Sequence, residues 1–168
     1  MKRFAILMTL AAVVLVMGVA EAEAQATGNL SVTASVTQSC RVKTTSPVAF
    51  GSYDPLDTNS STGSDLDGSG SVTVACTKGY IPTIGLNLGL NADGSTRRMK
   101  VGSEFLSYEL YKESGRTNVW GNSGADLFTP GAAPGSTGTA YDVFGRVPKG
   151  QDAAVGSFTD TVTVTVNY

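Results

Sequence analysis

Two stretches of strict apolar–polar alternation constrain this chain more than any other feature. In the first, Leu30, Val32, Ala34 and Val36 interleave with Ser31, Thr33, Ser35 and Thr37. In the second, Val162, Val164, Val166 and Tyr168 interleave with Thr161, Thr163, Thr165 and Asn167. A period of two gathers the apolar members of each stretch on one face of a strand. The second stretch runs to the last residue, so nothing downstream is there to pair with it. One of its edges is therefore expected to be covered by another part of the chain or by another chain.

Lys2 and Arg3 precede an apolar run from Phe4 to Ala20, broken only by Thr9 and Gly18, and Ala22, Ala24 and Ala26 follow it. A basic start, an apolar middle and an A-x-A exit describe a secretory signal peptide, residues 1–26. Lys2 and Arg3 are balanced by Glu21 and Glu23, so the net charge stays at −2 after removal. Such weak acidity argues against nucleic acid or an anionic membrane as a partner. What is left is long enough for one domain with a real core.

Only 15% of residues are charged, there are 20 glycines, and Ser and Thr abound. That composition suits strands and turns better than helices. Leu30–Gln38 reads as a first strand and Arg41–Phe50 as a second, interrupted at Pro47. Ser52–Gly70 is dense in turn formers and reads as a loop. Ser71–Cys76, Tyr80–Leu90, Phe105–Tyr111 and Thr139–Val147 alternate in turn, with Phe128–Gly138 a Pro/Gly/Ala loop, and a last strand begins near Phe158. Seven or eight short strands without helical periodicity predict an all-β, immunoglobulin-like sandwich.

Both cysteines, Cys40 and Cys76, lie beyond the signal peptide. In an oxidising compartment an even pair reads as a disulfide. On the chain-entropy model, closing such a loop stabilises by at most roughly 3–4 kcal/mol.

The chain has no histidine. Ser–His and Cys–His nucleophiles and imidazole zinc sites are therefore excluded. Glu104 and Glu109, a formal carboxylate pair, are separated by an odd number of residues and point to opposite faces of a strand. Asp65, Asp67, Ser69 and Gly70 imitate a calcium loop, but Cys76 stands where the bidentate Glu belongs. Asp54, Asp57, Asp65 and Asp67 read as a solvated acidic tip. Gly121–Gly124 lacks the setting and lysine of a phosphate loop. Arg97, Arg98 and Lys100 form a basic cluster, read as a solvated turn beside Asp93. Trp120 with Tyr108 and Tyr111 is either a sugar-stacking platform or, in the favoured reading, an aromatic plug at one end of the core. The sequence calls for no catalytic residue, no metal, no cofactor and no small-molecule substrate.

Several segments together resemble one family: Cys40-Arg-Val with Phe50-Gly51-Ser52-Tyr53-Asp54-Pro55, Val72–Gly79, Arg98-Met99 with Leu106–Tyr111, Trp120-Gly121, Tyr141–Pro148 and Phe158–Tyr168. In this order, over about residues 29–168, they resemble the spore coat protein U domain, shared by myxobacterial spore coat proteins and the subunits of archaic chaperone–usher pili. A family of bacterial type removes any glycosylation role for Asn29-Leu-Ser31 and Asn59-Ser-Ser61. The resemblance implies a secreted structural subunit whose sandwich lacks one strand and is completed by donor-strand complementation. A periplasmic chaperone fills the groove first, and the amino-terminal extension of the next subunit then replaces it.

The expected organisation is thus a signal peptide (1–26), a donor segment (27–38) and a sandwich domain (39–168). Leu30, Val32, Ala34 and Val36 would be donated, and Val162, Val164, Val166 and Tyr168 would line the acceptor groove and face the chaperone. The expected partners are copies of the chain or related subunits, the chaperone and an outer-membrane usher. The expected destination, by way of the periplasm, is a surface pilus or a spore coat. A carbohydrate- or surface-binding adhesin module is the rival reading.

Overall fold

The computed structural model describes residues 23–168, so the signal peptide lies outside the described residues except for its last four. Residues 36–168 form one compact unit. It contains β1 (Cys40–Ala49), β2 (Leu66–Cys76), β3 (Thr83–Leu86), β4 (Arg97–Val101), β5 (Glu104–Tyr111), β6 (Thr139–Val147) and β7 (Val164–Asn167). The described residues hold no helix beyond one 3-10 turn, Gly124–Asp126.

The strands make a five-stranded antiparallel sheet, in the order β1-β2-β6-β5-β4, and a two-stranded antiparallel sheet, β3-β7. Both sheets feed one core: Val72 and Val74 from β2, Leu106 and Leu110 from β5 and Val143 from β6 meet Ile84 and Leu86 from β3. This is the all-β sandwich that the alternation predicts. β5 shows why, since Leu106, Tyr108 and Leu110 are buried while Phe105, Ser107, Glu109 and Tyr111 are not.

Cys40 and Cys76 are cross-strand partners at one end of the β1–β2 ladder and are joined by a disulfide. Just beyond, Thr77 holds the incoming chain. Its hydroxyl donates to the Thr37 carbonyl and accepts from the Ser39 N–H, and its own N–H donates to the Ser39 carbonyl.

Five expectations need correction. No strand is found at Leu30–Gln38, because a strand requires a backbone ladder and the Thr37 carbonyl meets only the Thr77 side chain, with no strand paired along the segment among the described residues. The loop expected over Ser52–Gly70 ends early, since β2 begins at Leu66. Gly68 and Gly70 serve there not as turn formers but as the residues that let β1 approach: a Cβ would come within 2.7 Å of the Ala49 carbonyl oxygen at Gly68, and within 2.5 Å of Ser46's at Gly70. β3 covers only Thr83–Leu86 of the expected Tyr80–Leu90, because the Asn87 side chain accepts the N–H groups of Gly89 and Thr163 and turns the chain aside. The last strand is assigned only from Val164, since Thr159 pairs with Lys100 of β4 in an isolated bridge and the Asn87 side chain takes the Thr163 N–H, so no continuous ladder to β3 runs before it.

The fifth correction concerns Arg97. The basic cluster is not a solvated turn but strand β4, and Arg97 is fully buried in it. Its guanidinium donates to the carbonyls of Leu86, Asn87 and Trp120 and pairs with Glu109. Trp120 is also fully buried, tilted against Phe128, with its indole N–H on the Ile84 carbonyl.

Candidate functional site: an open apolar groove

The chain entering β7 is bridged to β4 at Thr159 and Lys100, but no strand pairing joins the two sheets between β1 and β7 among the described residues. β1 is the outer strand of the larger sheet, and β7 ends the smaller one. Between them runs a groove of about 450 Å³, walled by Thr45–Val48 on one side and Phe158–Val162 with Val164 on the other. Its floor is apolar: Val72, Leu86, Leu110 and Val143, with Phe50 extending the Val48 wall. A second cavity of about 660 Å³ shares Val48, Phe50, Met99 and Phe158 with the first and continues it past Leu66, Val147 and Ala153–Ser157.

Burial along the walls fits an unfilled slot. Val162, Val164 and Val166 alternate with exposed threonines, yet each is only half-buried against the core. β1 buries no residue fully, and only Cys40 and Val48 are half-buried. Aliphatic side chains in a finished sandwich are usually more deeply covered than this.

The backbone of β7 is also half-used. The N–H groups of Ile84 and Leu86 turn away from β7 to the carbonyls of Phe128 and Gly121, while Asn87 N–H bonds Thr163 O. With the register Gly85↔Thr165 and Thr83↔Asn167, β3 therefore takes the peptide groups of Thr163, Thr165 and Asn167. Those of Val162, Val164 and Val166 point to the opposite edge, along which no strand pairs with β7 among the described residues.

Polar anchors fix the groove wall. One carboxylate oxygen of Asp160 accepts from the N–H groups of Leu90 and Asn91 and from the Asn91 amide, and the other accepts the Tyr108 hydroxyl at 2.7 Å. Burial, and then that hydrogen bond, hold the Tyr108 phenol far above its usual range, so it stays a neutral donor. Asp160 and Tyr108 are thus bonded to each other at the groove wall.

Of the residues singled out in the sequence, Val162 and Val164 line the groove, Val166 packs on the core beside it, and Tyr168 lies 56% exposed past the last paired residue. Leu30, Val32 and Val36 are 88%, 85% and 85% exposed, and Ala34 is exposed too. Tyr108 and Trp120 are buried, which leaves no aromatic platform with Tyr111. Three carboxylates of the acidic tip are engaged internally: Asp65 and Asp67 pair with Arg146, Asp67 also with Arg116, and Asp54 caps the N–H groups of Leu56 and Asp57, whose own carboxylate is exposed. The Arg146 hydrogen bond holds the Asp67 carboxyl below its usual range. Asn59 is buried and bridges Asp54 N–H and Ser64 O.

The β1 wall was not anticipated from the sequence, although Val48 and Phe50 alternate across Ala49 as wall residues should.

Known proteins resemble this chain to different degrees. Among solved structures, the complex of the chaperone CsuC with the tip adhesion subunit CsuE, from the archaic chaperone–usher Csu pili of Acinetobacter baumannii, matches with a TM-score of 0.47 at 23% identity. The match covers 79% of this chain and 40% of that one, so the chain spans well under half of that neighbour's length. Protein U of Myxococcus xanthus is 38% identical over 158 residues, covering 86% of each chain. The model of the Spore Coat Protein U domain matches residues 26–165. By that match and that identity, the chain belongs to the spore coat protein U domain family.

Proposed function

We propose that the protein is an exported, non-enzymatic structural subunit that polymerises head to tail, its Leu30–Val36 segment filling the groove of a neighbouring copy. The product is a fibre or coat layer at the cell or spore surface. The observation that carries this reading is the pairing of an open apolar groove, bordered by an unused strand edge, with an exposed segment of matching periodicity.

The energetics favour such a union. Burying Leu30, Val32 and Val36 contributes roughly 5–8 kcal/mol before ordering costs. Backbone bonds along Val162, Val164 and Val166 add register and affinity whatever the side chains. A bare valine edge invites uncontrolled association, so a periplasmic chaperone would be needed to cover the groove until assembly at an outer-membrane usher. Insertion of the segment into its own groove would require a reversal within Thr37–Ser39, which Thr77 holds by three hydrogen bonds. Donation between copies needs no such reversal.

Deleting Gly28–Gln38 is the direct test. The truncated chain should be exported and form its disulfide, yet yield no polymers by electron microscopy or native electrophoresis. Undiminished polymers from it would overturn the proposal.

A further inference from the structure

The two ends of the sandwich carry opposite charge and exposed apolar side chains, and a donated strand would bring them together. At the disulfide end, Arg41, Lys43 and Lys78 are exposed, with Ile81 54% exposed beside them in sequence. At the opposite end lie the 52–65 and 148–158 loops, where Asp54, Asp57 and Asp152 are exposed and outnumber the one exposed cation of these loops, Lys149, whose ammonium donates to the Gly63 carbonyl. Leu56 and Val155, at the tips of those loops, are 91% and 102% exposed, and Val155 lines the mouth of the second cavity.

The tether is short. From Val36, the last apolar residue of the segment, to the disulfide-fixed Cys40, the chain spans at most about 14 Å. A donor body must therefore sit against one end of the groove it fills. Two strand directions are open to it. β7 runs from the loop end toward the disulfide end, as its groove partners Thr45–Val48 and the loop residues Ala153–Phe158 require. A donor strand parallel to β7 would press the basic end of one copy on the same basic end of the next. An antiparallel one would set it on the acidic loops.

Resting on the strand-donation reading, we infer that a second interface exists: the Arg41/Lys78 end of each copy docks on the Asp54/Asp57 loops of the copy whose groove it fills. Ile81 then meets Leu56 and Val155, and the charges steer approach and fix strand direction. The contact is heterologous and repeats along the fibre without closing.

The test uses the full-length oxidised chain, with assembly followed by light scattering and native electrophoresis. Arg41→Glu with Lys78→Glu should slow assembly at low salt about tenfold or more, and Asp54→Lys with Asp57→Lys should do the same. All four changes together should restore a rate near that of the parent, whose own rate should fall as salt is raised. Circular dichroism and an intact disulfide verify folding of each variant. Polymers forming at one rate in all variants and all salts, or failure of the fourfold variant to recover, overturn the end-to-end contact and leave strand donation standing. Assembly that survives deletion of Gly28–Gln38 overturns strand donation itself, and this inference with it.

Discussion

The ring of Phe50 lies over Gly145, where a Cβ would sit 2.7 Å from the ring's Cε1 and Cζ and 2.7 Å from Cγ1 of Val48. Gly145 is the cross-strand partner of Gly68, so two bare backbones on β6 and β2 make the bed for the ring. Phe50 then reaches Tyr108 edge-on at 6.1 Å and lines both cavities. Groove depth is set by the absence of two side chains.

Gly145→Ala should lift Phe50 and Val48 into the groove. Overpacking of this kind costs about 1–3 kcal/mol. Chemical denaturation of the oxidised chain should register that loss. Polymer yield should fall by more than the stability change alone explains, because the lifted ring occupies the space of the incoming strand. A fully active polymeriser with lowered stability would show that the bed matters only for folding.

Arg97 should prove the most sensitive charged residue. Its guanidinium satisfies the buried carbonyls of Leu86 and Trp120, the partly buried one of Asn87, and Glu109 from a site with no solvent access. Arg97→Met strands those acceptors and should cost about 3–5 kcal/mol in denaturant titration. Arg97→Lys should recover little of it, since a single ammonium cannot present the planar fork whose Nη2 reaches Leu86 and Trp120 while Nη1 pairs with Glu109 and Nε donates to Asn87.

Glu113 supplies a pH signature outside the groove. Its carboxylate accepts the hydroxyl and N–H of Thr117 and the N–H and amide of Asn118, closing the turn after β5. The Thr117 hydroxyl bond first, and then the two backbone N–H bonds, bring its pKa down from 4.5 to about 2. A folded value below the unfolded one means that the contribution is complete above about 4.5 and disappears as pH falls through about 2. Glu113→Gln should therefore be less stable than the parent at neutral pH, with the gap closing near pH 2. A gap constant with pH would mean that the carboxylate's charge is irrelevant to the turn.

What the sequence discloses here tracks how local the cause is. β5 and β6 are legible because alternation alone sets which face is buried. The Cys40–Cys76 bridge follows from compartment and count. β4 was missed because three cations in four residues look solvated, although Arg97, Met99 and Val101 share one face and carried the strand signal. Gly68 and Gly70 misled because glycine marks turns as readily as close strand approach, and only the position of β1 decides between them. The groove was half-legible: Val162 and Val164 stood out, whereas Val48 and Phe50 become wall residues only once β1 is placed at the sheet edge.

The disulfide should hold the groove open as much as it stabilises the fold. β1 contributes little buried surface, so its place at the edge depends on the β2 ladder and on the Cys40–Cys76 bond at its start. Cys40→Ser with Cys76→Ser should cost about 2–5 kcal/mol. Hydrogen exchange should place the greatest loss of protection in Arg41–Ala49, with the β5–β6 ladder least affected. Uniform loss across both sheets would mean that the bond acts on global stability alone.

The edge of β7 offers the sharpest reading of strand donation, because its peptide groups alternate in use. Thr165 and Asn167 bond β3, and Thr163 N–H is held by the Asn87 side chain, so these amides should exchange slowly in monomer and polymer alike. The amides of Val162, Val164 and Val166 face the groove and should exchange fast in the monomer. A strand laid along that edge would bond them one by one, with Leu30, Val32, Ala34 and Val36 turned to the same inner face as the valines. Polymerisation should therefore slow exchange at Val162, Val164 and Val166 by at least about a hundredfold, and at the apolar positions of the 30–36 segment with them. NMR-detected exchange, quenched after assembly, resolves the two sets. Protection of the three valines already present in the monomer would mean that the segment occupies its own groove. Lack of protection in the polymer would mean that the copies join elsewhere.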